Sequence, residues 1–245
     1  MTKIFKYELK RLVVNRFFFA LLVISLVYSY IVLSGNIIIG IAHTAPFSSW
    51  SYGMYLASVL PLLLITLLFF ITFLYSSQEN RVKQITLATQ MNPRKYCLIK
   101  CATIAVGYFI ISLSVIVLSF VFYGWVFRFF AFSDFIVPII VTLTPALLFI
   151  FGLGLIAGSV HPNILYALMA VVILLGLLPL PLFFDIYGTR AFSEYPLTLP
   201  IGPIGEPEFV MPLLFVLGRV MFSVTGVLMM LYGVRGYYKP NAMIG

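Results

Sequence analysis

Six long apolar runs, separated by short polar connections, set the pattern of this chain. They lie near Phe17–Ile39, Gly53–Tyr75, Leu98–Tyr123, Phe135–Val160, Ile164–Phe184 and Val210–Gly233. Each is close to the roughly 20 residues that a helix needs to cross about 30 Å of hydrocarbon. Ahead of them, residues 1–16 alternate with a helical period. Phe5, Leu9, Leu12 and Val13 share one face, and Lys3, Lys6, Lys10 and Arg11 share the other. That spacing predicts an amphipathic helix lying in the membrane interface, its basic face toward lipid head groups; the plainer alternative is a basic flank that only sets topology. The run after it is too long for the apolar part of a cleaved signal, and no small-residue cleavage site follows.

Composition agrees with the pattern. Of 245 residues, 62% are hydrophobic and 9% charged, against about half and a quarter in a soluble domain. The expected fold class is therefore an all-α integral membrane protein with six transmembrane helices in a single domain over residues 1–245. The net charge of +8 falls at the ends of the runs, where orientation in lipid accounts for it without nucleic acid. One set of connections holds Lys3, Lys6, Lys10, Arg11, Arg16, Arg81, Lys83, Arg94, Lys95, Lys100, Arg235 and Lys239. The other set holds Arg128 and Arg190 with Asp134, Asp185, Glu194, Glu206 and Glu208. Basic connections stay on the cytoplasmic side, so both termini are expected there. Trp50, Tyr52, Tyr55, Tyr123 and Trp125 are expected at the outer head-group level, and Tyr232, Tyr237 and Tyr238 at the inner one.

Among the connections, Ser76 to Lys100 is the most polar. It carries Arg81, Lys83, Arg94, Lys95 and Lys100 against one acid, Glu79. Arg81 to Met91 can be helical, with Val82, Ile85 and Ala88 as a thin apolar stripe, and Pro93 disfavours helix at Asn92. The outer connection, 185–209, is rich in proline yet too apolar for a solvated loop, and is expected to fold back as short helical turns. His161, Pro162 and Asn163 form a tiny link that makes the fourth and fifth runs antiparallel neighbours. Gly154 and Gly158 form a small-xxx-small pair suited to close helix contact. Pro61, Pro138, Pro145 and Pro179 fall inside runs.

Catalysis has little to work with. His43 and His161 fall on opposite sides, and there is no HExxH, GxSxG or GK[ST] phosphate loop. Cys97 and Cys101, four apart, make a poor metal site without a third ligand and read better as small packing residues. Arg219 is the one ionisable residue well inside a run. It either faces an anionic substrate, or snorkels outward or pairs with Glu206 or Glu208, forming part of an outer gate.

The starting stretch KIFKYELKRLVVNRFFF, the six runs and ENRVKQITLATQMNPRKYCLIK together resemble the membrane subunit of an ATP-binding-cassette exporter of the type-2 permease family, over nearly the whole chain. The resemblance implies that residues 1–16 form an interfacial connecting helix. It implies that residues 76–97 form a cytoplasmic coupling helix docking on a separate ATPase, with Glu79, Arg81, Lys83, Thr86, Thr89, Asn92, Pro93 and Arg94 in the contact; no glycine follows the acid between Lys83 and Thr86. The partners it implies are two cytoplasmic ATPase subunits and a second permease copy or paralogue, in a bacterial plasma membrane. ATP and Mg would sit on the ATPase, and this chain would bind no cofactor. The substrate expected is a hydrophobic or amphipathic peptide, lipid or drug. The alternative is an ATP-independent membrane binding or immunity protein that sequesters a peptide or toxin.

Overall fold

A computed structural model describes residues 2–76, 79, 81–82, 93–202 and 206–236. Helix α1 (Thr2–Val13) is followed by α2 (Arg16–Val32), which runs on through a π-helical turn (Leu33–Ile37). Then come α3 (Ser49–Leu74), α4 (Pro93–Val126), a 3-10 turn (Phe132–Phe135) and α5 (Ile136–Val160). After these lie α6 (Asn163–Leu177), α7 (Thr189–Ser193), a second 3-10 turn (Tyr195–Thr198) and α8 (Leu213–Gly236). The described residues contain no β-strand, only one isolated bridge between Ile201 and Pro207.

Five helical segments are long and apolar enough to cross a membrane: Arg16–Ile37, Ser49–Leu74, Lys95–Val126, Phe132–Val160 and Leu213–Arg235. The fifth apolar run behaves differently. Its helix, α6, has 15 residues, about 22 Å at about 1.5 Å per residue. Leu178 is extended (φ −90°, ψ 133°) because Pro179 and Pro181 follow, and a residue before proline is pushed out of the helical region. Pro179 thus lies beyond a helix end, whereas Pro61 and Pro145 lie inside α3 and α5. At the other end of the 76–100 connection, the helix begins at Pro93, earlier than the apolar run at Leu98. Proline fits the first helical position, where its missing N–H would be unsatisfied anyway.

Helix α3 is the centre of the bundle: 61% of its spanning window is buried, against 28% for α2 and for α8. Its neighbours are α2, α4, α5 and α6. Helices α5 and α8 pack most closely of all, through glycine. A Cβ on Gly152 would lie 2.5 Å from the Gly226 carbonyl oxygen. Gly154 and Gly158 face elsewhere, toward Ile71, Leu68 and Tyr75 at the end of α3.

The aromatic residues expected at the outer head-group level divide. Trp125 is 80% exposed, but Trp50, Tyr52, Tyr55 and Tyr123 are buried in the protein. The chain crosses over them: Phe135 stacks on Tyr52 at 3.9 Å, and Phe209 meets Trp50 edge-on at 4.7 Å. The polar ends of Trp50, Tyr52 and Tyr55 are satisfied internally, whereas the buried Tyr123 hydroxyl has no hydrogen-bond partner among the described residues. The Tyr55 hydroxyl lies 2.6 Å from Ser29 Oγ, and Tyr52 reaches Ser119 at 3.1 Å.

Candidate functional site

At the end of the bundle that carries α1, four charged side chains meet among the described residues: Glu8, Glu79 and Lys100 are buried, and Arg11 is half exposed. Glu8 supplies the first. It sits on the α1 stripe that includes Phe5, Leu9 and Leu12, so folding that face inward takes the carboxylate with it; only 8% of the residue is exposed. Lys100, two turns into α4, donates to Glu8 Oε2 at 2.6 Å and to Glu79 Oε2 at 3.0 Å. Tyr96, one turn earlier on α4, donates to Glu79 Oε1 at 2.8 Å. Arg11 closes the group from α1, 3.6 Å from both Glu8 and Glu79. The Glu79 main-chain N–H donates to Ser76 Oγ at 3.3 Å.

Among the described residues the cluster pairs two carboxylates with two cations. Burying any one of these charges alone would be strongly unfavourable, while a mutually satisfied set is tolerated. Its mechanical consequence is plain: α1, the residues following α3, and α4 are held at one point. Beneath it lies a cavity of about 380 Å³, floored by Phe70, Phe73, Leu74 and Ile104.

The residues expected to contact a partner are therefore placed differently from one another. Glu79 is 1% exposed; its carboxylate is turned inward, as an anchor of the connection. Arg81 is exposed at the surface. Lys83, Thr86, Thr89 and Asn92 lie outside the described residues, as does most of the helix expected from Arg81 to Met91; Pro93 and Arg94 open α4, their side chains likewise outside the description. Glu8 was missed from sequence. The signal available was a lone acid on the apolar face of an amphipathic helix.

At the opposite end, Arg219 does not reach Glu206 or Glu208. It is 4% exposed; its Nη1 donates to the Ile186 carbonyl, and its guanidinium carbon lies 4.4 Å from the Phe215 ring centroid. Nε and Nη2 have no hydrogen-bond partner among the described residues. Glu206 instead accepts from the Ala45 N–H at 2.9 Å, because residues 206–209 lie against the turn between α2 and α3. The acid near Arg219 is Asp185, which accepts from the N–H groups of Gly188 and Arg190, both at 2.8 Å, and so caps α7. Gly188 takes φ 87° to make that turn, a conformation glycine adopts without steric penalty. Tyr187 donates to the Val172 carbonyl of α6 at 2.5 Å; burial first, and the Asp185 charge second, push its phenol above the usual range, so it remains a donor. Phe192 seats this segment on α3, where a Cβ at Gly53 would meet its ring at 2.3 Å.

This bonding predicts that Arg219→Ala loosens the segment over residues 185–193. Losing the charged donor and leaving the Ile186 carbonyl unpaired costs about 1–3 kcal/mol. Amide hydrogen exchange of residues 185–193 should accelerate while α3 stays protected; unchanged exchange there would refute the tie.

Cys97 and Cys101 are buried with their sulfurs 4.0 Å apart. Among the described residues no group of three or more His, Cys, Asp or Glu side chains is placed to hold a metal ion. Comparison with protein-family models, with curated proteins and with solved structures finds no match.

Proposed function

We propose that the chain is the membrane permease of an exporter driven by a separate ATP-hydrolysing subunit, with its basic end in the cytoplasm. The observation that carries the reading is the junction of buried Glu8, Lys100 and Glu79 with half-exposed Arg11. Ionisable residues set into an apolar bundle are expensive and mark functional positions. This junction makes the root of the 76–97 segment rigid against two helices. The sequence has no phosphate-binding loop of its own, so energy for transport comes from outside.

On this reading the ATPase grips the segment through Lys83, Thr86, Thr89, Asn92 and Arg94. Glu79 has a different part: it transmits the push to α1 and α4. Closure of two ATPase subunits brings two such segments together and rocks the helices about their packed faces, exposing the path alternately to each side. A second permease copy or paralogue completes that path. Its apolar lining suits hydrophobic or amphipathic peptides, lipids or drugs. At the outer end, α7 and the Arg219 tie form the gate.

The test is isolation of the tagged full-length chain from its native membrane in mild detergent. A nucleotide-hydrolysing subunit should accompany it, and Arg94→Glu should release that subunit without lowering the melting temperature of the permease. Isolation of the chain free of any such subunit would contradict the proposal, as would an Arg94→Glu variant that keeps its partner.

A further inference from the structure

At the end of the bundle remote from α1, a cavity of about 790 Å³ opens between the α2–α3 turn, the link before α5, and residues 200–202 and 206–209. This is within the range of small-molecule sites. Phe47 and Phe129 stack along it at 5.2 Å, with Phe209 half-buried beside Trp50. Its charged lining is of one sign: Asp134, Glu206 and Glu208, with no Lys, Arg or His among the described lining residues.

We propose that this cavity binds a lipophilic organic monocation. Two observations select that chemistry. The three carboxylates share the lining with the rings of Phe47, Trp50, Phe129 and Phe209, and no described group of three or more acids is placed to hold a metal ion, so the lining suits an organic cation better than a bare one. Aromatic faces attract a weakly hydrated cation and cover its apolar body, whereas they offer nothing to a hydrated inorganic ion. Glu206 is fixed by its bond to the Ala45 N–H, so one negative charge is positioned before the ligand arrives. The site does not depend on the transport reading: binding belongs to this chain alone, and either proposal can fail without the other.

Trp50 is the reporter. Its Nε1 donates to the Pro207 carbonyl at 3.3 Å, and the other tryptophan, Trp125, is removed by Trp125→Phe. The purified full chain in maltoside micelles, which contain no ammonium head group, is titrated with tetraphenylphosphonium. Saturable change in Trp50 emission is expected. Tetraphenylborate, of the same shape and opposite charge, should give none. The triple variant Asp134→Asn, Glu206→Gln, Glu208→Gln should bind at least about tenfold more weakly; glutamine retains the acceptor for Ala45. Glu208→Lys alone, at an exposed position, should weaken binding more than Glu208→Gln, which keeps the proposal testable if the triple variant fails to fold. Equal binding of both ions, an unsaturable signal, or affinity indifferent to these charges would overturn the proposal. So would complete suppression of binding by added phosphatidylcholine, which would identify the occupant as a lipid head group.

Discussion

Lys100→Met should be among the most damaging single substitutions in this protein. The ammonium group lies between two carboxylates, 2.6 Å from Glu8 and 3.0 Å from Glu79. Methionine keeps the apolar stem and removes the charge, leaving both acids facing each other with Arg11 as the one cation beside them among the described residues, at 3.6 Å and on a side chain 44% exposed. Removing one partner of a buried ion cluster typically costs about 3–5 kcal/mol. Thermal unfolding of the solubilised protein should show a large drop in melting temperature. Replacing Glu8 and Glu79 by glutamine in the same background should restore much of it, since no buried charge then remains and Arg11, on a side chain 44% exposed, is left to solvent. A Lys100→Met protein that melts like the original would show that the junction holds nothing together.

Gly226→Ala should be nearly as disruptive, for a steric reason. A Cβ there would lie 2.4 Å from Leu148 C, 2.5 Å from Phe149 N and 2.6 Å from Leu148 O. These are main-chain atoms of α5, which cannot rotate aside as a flexible side chain would. Helices α5 and α8 must separate, opening the closest contact in the bundle. Overpacking of this kind costs about 3 kcal/mol. Gly35→Ala is the control, because its Cβ meets nothing within 4 Å; a change within about 0.5 kcal/mol is expected. Equal melting of the two variants would mean that α8 is not packed as described.

Glycine also marks the limit of what the sequence reveals. Spacing identified Gly154 and Gly158 as a small face, and they do meet α3, but nothing in the spacing says that Gly152, two residues earlier, serves α8 instead. Hydropathy located the long helices because spanning lipid requires length and apolarity together. It read through Leu178 because Pro179 and Pro181 are apolar by composition while being helix-breaking by geometry. The amphipathic start was legible from period alone, and its inward face carries Leu12 as read. Glu8 was not, since its partner Lys100 is 92 positions away and local pattern carries no record of distant pairing. Tyr52 and Tyr55 illustrate the same limit. An aromatic residue near a helix end suits a head group or a core equally well, and only the crossing of Phe135 decides between them.

The central claim is that a separate motor acts on this chain through the segment between α3 and α4. Its most direct test places a photoactivatable benzoylphenylalanine at position 86 of the full-length chain, with a control at position 125, and irradiates native membranes. The account predicts a covalent adduct between position 86 and a nucleotide-hydrolysing subunit, with none from position 125. Adducts from position 86 to lipid alone, with no such subunit captured, would contradict it.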